Sequence, residues 1–166
     1  MAFIKKVRIV KVSIEPSERQ NSLGHLIASN KIGSNPGEES FKIKYRTRLE
    51  NFCMVAMAGM SSEYILTGIK NWEGVDQDLE CIDYFLSLLT YSHRDFSLYR
   101  DLLWVRTETI LRAQDHWYMI ENLANYLLTE ESVIDGRKAK EILRNSNLKL
   151  IKENIRSVLN SLNKRG

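Results

Sequence analysis

Residues 52–83, FCMVAMAGMSSEYILTGIKNWEGVDQDLECID, decide the fold because they predict two helices joined by a short connection. In the first part, apolar residues recur at steps of three and four, which is the helical period. One face of this helix is crowded with small side chains: Ala56, Ala58, Gly59, Ser61 and Ser62. A glycine in mid-helix costs about 1 kcal/mol relative to alanine. Gly59 therefore predicts that a second backbone approaches this face closely.

The ends of these two helices are also marked in the sequence. Gly68 is suited to end the first helix, since glycine readily adopts the left-handed conformation that follows many helix C-termini. Asp76 is suited to N-cap the second helix, and Asp78 lies in its first turn, where the helix dipole favours a carboxylate. Apolar residues at helical spacing predict the buried seam of the second helix: Leu79, Ile82, Leu86 and Leu89.

The segment before this pair predicts a small β-meander. Three stretches have the composition or the apolar–polar alternation of strands: residues 6–14, 23–29 and 41–45. In the first stretch, Val10, Val12 and Ile14 share one face, which we expect to be buried. Sheets of so few strands are marginally stable alone. We therefore expect the helices to cover the meander of residues 1–46.

The segment after the pair predicts three further helices: residues 96–128, 136–143 and 148–162. The first carries a long apolar stripe that includes Leu98, Leu102 and Val105. Asp135 is placed to cap the second, and residues 145–147 are expected to break the chain before the third. The third has apolar residues at heptad spacing: Leu148, Ile151, Ile155, Val158 and Leu162. Two heptads are too few to predict a coiled coil.

The composition indicates one mainly helical globular domain. The chain has 166 residues, of which 43% are hydrophobic, and its net charge is +3. No apolar run approaches the ~20 residues that span a bilayer, so we expect no membrane segment and a cytoplasmic location. The mild charge, without aromatic residues interleaved among the basic ones, does not favour nucleic acid as a partner. Cys53 and Cys81 lie in apolar helical patterns, so we expect both to be reduced and buried.

Four segments follow one another along residues 7–143. VKVSIEPSERQNSLGHLIA begins at Val10, AGMSSEYILTG at Ala58, EGVDQDLECID at Glu73 and LLTEESVIDGRKAKEIL at Leu127. Together they resemble the peptidase domain of FtsH-type ATP-dependent zinc metalloproteases. That family has VxxVTIxPRGxxLGxT, GGRAAEELxFG, TGAxNDLxRAT and LLExETLDGEEIxxIL in the same order.

The matched positions imply roles through this resemblance. Gly59 and Glu63 fall on the family's Gly and Glu, and Ser61 stands where the family has an alanine. Asp78 falls on the aspartate that is the family's third zinc ligand. The resemblance implies that Gly59, Glu63 and Asp76 lie along a groove near Asp78. Further matches are Ile14, Pro16, Leu23, Gly24, Asp135 and Gly136.

The chain also departs from the family, because it has no HExxH motif. His25, His93 and His116 are followed by Leu, Arg and Trp, so no His-Glu pair exists. A zinc peptidase needs two histidines one helical turn apart and a glutamate to activate water. The phosphate-binding GxxxxGK[ST] motif is absent as well. Asp78 alone does not hold zinc, so we expect no catalytic residue and no cofactor, and the chain as it stands is not expected to be an enzyme.

These observations predict an α+β fold that is mainly α. It comprises a β-meander (1–46), family-like helices (47–143) and an extra C-terminal helix (144–166). The favoured hypothesis is a non-catalytic relative of the FtsH-type peptidase domain that serves as an interaction or structural module. The alternative is a genuine zinc peptidase whose HExxH helix is missing or supplied by another chain. A third hypothesis is a helical binding domain whose site lies elsewhere and whose resemblance misleads.

The C-terminal helix has two open interpretations. It folds back over the small-residue face around Gly59, or its apolar seam pairs with another copy or a protein partner. Folding back would avoid an exposed apolar patch. The sequence leaves both alternatives open.

Overall fold

The computed structural model describes residues 1–16, 25–28, 39–72 and 74–163. These residues form three strands and five helices, in the order β1 (Ile9–Ser13), β2 (His25–Ala28), α1 (Glu39–Thr67), α2 (Asp76–Ser87), α3 (His93–Arg112), α4 (Gln114–Thr129), β3 (Val133–Asp135) and α5 (Gly136–Asn163). The prediction of a mainly helical α+β fold is confirmed. The stretches between the predicted strands, residues 15–22 and 30–39, fall largely outside the described residues.

The sheet has the order β2-β1-β3 with antiparallel pairing on both sides of β1. Val12 pairs with Leu26 on one side and with Ile134 on the other. The third strand predicted at residues 41–45 is wrong, because these residues belong to α1. The ion pair from Arg46 to Glu50, one turn further on, supports this longer helix. β3 supplies the third strand instead.

The burial pattern of β1 differs from the predicted alternation at one position. The register shifts between Ile9 and Lys11, which marks a β-bulge. A bulge adds one residue to a strand and inverts the side-chain alternation beyond it. As a result Ile9 and Val12 are buried while Val10 is exposed. The prediction that Val10 shares the buried face with Val12 is therefore wrong.

α1 lies at the centre of the helical part, and both α2 and α3 pack against it. The rings of Phe52 and Phe85 stack at 5.5 Å and join α1 to α2. The predicted seam of α2 is largely confirmed, since Ile82, Leu86 and Leu89 are buried. α1 ends as predicted at Gly68, whose φ of +74° is the left-handed conformation.

The single long helix predicted over residues 96–128 is wrong, because the chain turns a corner at Ala113. This residue has an extended backbone, with φ −60° and ψ 131°, between α3 and α4. A corner frees backbone carbonyls at the end of α3. The His116 ring supplies a hydrogen bond to one of these carbonyls, since its Nδ1 lies 2.7 Å from the Ile110 carbonyl oxygen and donates to it. This bond satisfies one of the carbonyl groups at the C-terminus of α3.

α5 is one continuous helix, so the break predicted at residues 145–147 is wrong. The buried Ser146 hydroxyl donates to the Ile142 carbonyl at 2.8 Å, inside the same helix. This bond satisfies a polar side chain that in isolation favours a turn. The predicted cap is confirmed, because Asp135 Oδ1 accepts from the backbone N–H groups of Arg137 and Lys138, each at 2.8 Å. α5 packs against α4 and the sheet.

Candidate functional site

A groove of about 540 Å³ lies between α2 and α3, with α1 as its floor. We call it the α2–α3 groove. Its apolar lining comes from α1, α2 and α3: Met57, Met60, Leu79, Ile82, Trp104 and Val105. The remaining lining residues are Lys70, Trp72, Arg100 and Asp101. The groove exists because α2 and α3 both pack on α1 but make little contact with each other.

Aromatic side chains form one end of the groove. The Trp104 ring lies 6.2 Å from the ring of Tyr64 and 6.1 Å from that of Trp72. The Lys70 ammonium lies 5.0 Å from the centre of the Trp104 ring, within the range of a cation–π contact. This contact attaches the loop after α1 to α3. Trp72 itself is half exposed, so it offers its surface to a ligand in the groove.

The floor of the groove is suited to adaptable apolar contacts. Met57 and Met60 are both buried and one helical turn apart on α1. Methionine side chains are flexible and polarisable, and they recur on surfaces that bind apolar helices. Together with Leu79 and Ile82 they give the groove an apolar base. The arrangement is chemically suited to binding rather than to proton transfer.

The face of α3 that is buried is not the one predicted. Its buried residues are Leu103, Thr107 and Leu111. The predicted stripe of Leu98, Leu102 and Val105 is instead between 42% and 62% exposed. α1 contacts the opposite side of α3, and that contact decides which of the two faces is buried. Val105 belongs to both the exposed stripe and the groove, so apolar surface continues from the groove onto α3.

The small-residue face around Gly59 does not have the predicted close contact. A Cβ placed on Gly59 would meet no described atom within 4 Å, and the residue is exposed. The prediction of close backbone approach there is wrong. Ser61, by contrast, is fully buried, and its hydroxyl has no hydrogen-bond partner among the described residues. Glu63 is exposed, and its Oε1 accepts from the Asn71 side chain at 3.0 Å.

The start of α2 is acidic and open to solvent. Val75 occupies the N-cap position without a side-chain hydrogen bond, so the prediction of Asp76 as the N-cap is wrong by one residue. Asp76 and Asp78 both lie in the first turn and are exposed. Glu80 and Asp83 continue the acidic character, and α2 contains no basic residue. None of these four carboxylates forms an ion pair within the described part of the chain.

The surroundings of Asp78 do not fit a zinc ion. Neighbouring atoms partly desolvate its carboxyl group and raise its pKa. Cys81 lies one turn further on, and burial together with the charge of Asp78 raises the pKa of its thiol. A thiol that keeps its proton is a poor metal ligand. Among the described residues, no three His, Cys, Asp or Glu side chains are grouped to hold a metal.

The two cysteines are free, as predicted, but they differ in burial. Burial raises the pKa of Cys53 to about 12, so this thiol is an inert part of the core. Cys81 is only half-buried. The three histidines are also separated: His25 lies in β2, His93 begins α3 and His116 lies in α4.

The groove brings together residues that sequence reasoning missed. None of Gly59, Glu63, Asp76 and Asp78 is among the residues that line it. Trp104 and Met60 could have been found as large apolar residues on the faces of α1 and α3 next to the predicted seams. Their convergence needs the packing of three helices, which local periodicity does not specify.

Comparisons with known proteins add no family. No family model matches the chain, and neither a curated protein nor a solved structure matches it. Within the described residues, no helix combines the length and the apolar character that crossing a bilayer requires.

Proposed function

We propose that this chain is a non-catalytic relative of the FtsH-type peptidase domain that acts as an interaction module. The four resembling segments and the absent HExxH motif support the first part of this proposal. The α2–α3 groove supports the second part, and it is the observation that carries the proposal. Its partner is an amphipathic helix with basic flanks.

The groove favours a helical ligand because of its shape and lining. Helices bind proteins by laying an apolar face into an open apolar groove between neighbouring helices. Here Met57 and Met60 form the floor, and Trp104 offers a large aromatic contact of the kind that dominates binding energy at interfaces. The apolar surface continues over Val105 onto the outside of α3.

The charges around the groove favour basic residues on the ligand. α2 forms one wall and carries four exposed carboxylates without a basic residue. Charged groups at the rim of an interface add specificity and speed association. A basic flank on the ligand helix would lie beside α2, while Lys70 in the loop after α1 and Arg100 on α3 disfavour ligands that are basic all round.

The non-catalytic part is tested by zinc analysis and casein cleavage on the purified protein. We expect neither stoichiometric zinc nor cleavage, because the donor set around Asp78 does not fit zinc. Zinc bound in stoichiometric amount together with chelator-sensitive proteolysis would contradict the proposal. That result would favour the alternative, in which another chain supplies the HExxH helix and Asp78 is the third ligand.

The binding part is tested with a synthetic amphipathic helix of leucine and lysine. A Trp117→Phe background leaves Trp72 and Trp104, both at the groove, as the reporters of fluorescence. We expect a saturable change on addition of the peptide. Val105→Glu should abolish the change, because it places a charge in the apolar lining.

Leu128→Glu is the matched control, since Leu128 is an exposed apolar residue outside the groove. It should bind the peptide as the parent protein does. A scrambled peptide without an apolar face should not bind. Equal binding by the Val105→Glu and Leu128→Glu proteins would show that the groove is not the binding surface.

A further inference from the structure

The second half of α5 extends beyond the body of the protein with an apolar face uncovered. The first half is held by a buried seam that ends at Leu150. Residues 151–157 are all exposed. Leu148, Ile151 and Ile155 are between 48% and 56% exposed and recur at steps of three and four, so they lie on one face. We call residues 148–157 the α5 tail.

The α5 tail has the chemistry expected of a ligand for the α2–α3 groove. Its apolar face, from Leu148 to Ile155, is about 10 Å long at the helical rise of ~1.5 Å per residue. It therefore presents two turns of branched aliphatic side chains, and the groove presents two methionines and two tryptophans. Both surfaces are apolar, and among the described residues both have exposed parts: the apolar face of the tail, and Trp72 and Val105 at the groove. Val158 is a further member of the predicted seam, but its side chain lies outside the described residues.

The charges of the α5 tail and of α2, the helix along one side of the groove, are opposite. The α5 tail carries three basic residues, Lys149, Lys152 and Arg156, against the single acidic residue Glu153. α2 carries four carboxylates and no basic residue. The basic residues at 149, 152 and 156 follow the apolar ones by one position, so they flank the apolar face. A tail seated in the groove would place them beside α2.

We infer that the α5 tail of one copy of this chain docks in the α2–α3 groove of a second copy. A second copy is the occupant because α5 is one continuous helix whose main contacts among the described residues are with α4 and the sheet. Its tail reaches the groove of its own chain only if the helix breaks. The inference rests on the proposed function, since it names the partner of the same groove.

The contact is between two different surfaces, and this determines the assemblies it forms. Two copies that exchange tails reciprocally make a closed dimer with the contact formed twice. If the geometry does not close, the same contact continues into an open chain of copies. In both cases a copy without a tail still accepts one, and a copy without a groove still donates one.

Sedimentation equilibrium on the full chain tests the inference. We expect the wild-type protein to self-associate and to dissociate as salt is raised, because the rim charges are screened. Ile151→Glu with Ile155→Glu removes the donor face, and Val105→Glu removes the acceptor face. All three positions are exposed, so the fold is retained, which circular dichroism checks. Each variant should be monomeric at concentrations where the wild type associates.

Mixing the two variants gives the decisive result. The tail variant keeps an intact groove and the groove variant keeps an intact tail, so the mixture should form a one-to-one heterodimer. Leu128→Glu, at an exposed site outside both surfaces, should associate as the wild type does. Reversing Lys149 and Lys152 to glutamate should weaken association about tenfold or more.

Three outcomes would overturn the inference. A wild type that stays monomeric at all concentrations excludes the contact. Association that survives Val105→Glu but not the tail changes indicates that tails pair with each other. A mixture that stays monomeric shows that the tail and the groove are not partners. If the leucine–lysine peptide still binds the groove in these cases, the proposed function holds while the inference fails.

Discussion

Two corners of the molecule, one between β3 and α5 and one between α1 and α2, are built in opposite ways. At the β3–α5 corner, Asp135 accepts two backbone N–H groups at 2.8 Å, and Gly136 lies directly against the backbone of Ile9. At the α1–α2 corner, α2 begins without a side-chain cap, and two turns before the corner a Cβ on Gly59 of α1 would meet no described atom within 4 Å. The first corner is closed by its own contacts, whereas the second leaves its groups uncovered.

The two corners also shift the pKa of an aspartate near the start of a helix in opposite directions. The hydrogen bond from the Lys138 backbone N–H lowers the pKa of Asp135. Partial desolvation raises the pKa of Asp78. A carboxylate stabilised by the fold has a structural role. A carboxylate whose charged form is slightly destabilised by the fold, such as that of Asp78, can still gain an ion pair with a basic partner. This agrees with docking of a basic helix beside α2.

The largest expected effect is at the closed corner, with Gly136→Ala. A Cβ at this position would lie 1.9 Å from the Ile9 carbonyl oxygen and 2.6 Å from its carbon. These are backbone atoms of β1, so the clash is relieved only by moving α5 away from the sheet. We expect the free energy of unfolding to fall by about 3 kcal/mol, measured by urea denaturation.

Gly59→Ala, in α1 before the open corner, is the matched control. It is also a glycine within a helix, but no described atom lies within 4 Å of the new methyl group. We expect stability to rise by about 1 kcal/mol, since alanine is the better helix former. If both substitutions changed stability by similar amounts in the same direction, the contrast between the corners would be lost.

The next effect is expected from Ser61→Ala, which removes a buried hydroxyl group from α1. The Ser61 side chain is fully buried, and its oxygen has no partner among the described residues. Burying a polar group without a hydrogen bond is unfavourable. Removing it should stabilise the protein by about 1 kcal/mol. Ser62→Ala, at a half-buried position on the same helix, is the control and should change stability less.

A loss of stability in Ser61→Ala would contradict this account. It would mean that the hydroxyl has a partner in solution, such as a bound water. Thermal unfolding monitored by circular dichroism at 222 nm, the usual helical signal, is sufficient to separate the two results because the chain is mainly helical.

Local signals were predicted well from the sequence, and distant contacts were not. Gly68, the seam of α2 and the Asp135 cap each depend on neighbours within one or two helical turns, and all three are confirmed. The glycine with a real steric requirement was misassigned to position 59. Gly136 needs to be glycine only because β1, from the other end of the chain, lies against it.

The candidate site was predicted less well for the same reason. α3 has two faces that could be buried, and periodicity favoured the one with Leu98 and Leu102. Contact with α1 buries the other, which contains Thr107. The α2–α3 groove needs three helices and one loop to converge. No single stretch of sequence contains that information.

A smaller effect is expected from Asp135→Asn, which keeps a good cap but removes the charge. The folded pKa of Asp135 is lowered, so its contribution to stability is present above the unfolded pKa of about 3.9 and is lost as pH falls through the folded value. At neutral pH we expect the variant to be less stable than the wild type. The loss of stability should be smaller than that caused by Gly136→Ala. The difference should vanish in acid, as measured by urea midpoints across the acid range.

The smallest effect is expected from Asp78→Asn, and its pH dependence should have the opposite sign. Because the folded pKa of Asp78 is raised, the stability linked to this group is present below the unfolded pKa and is lost as pH rises through the folded value. The free energy of unfolding of the variant, relative to that of the wild type, should therefore increase as pH rises from acid to neutral. The gain should stay below about 0.5 kcal/mol, because the exposed side chain is screened by water and the helix dipole favours the charge. A pH profile with the same slope as that of Asp135→Asn would mean that Asp78 is stabilised by the fold, and α2 would then have no uncompensated charge to offer a basic partner.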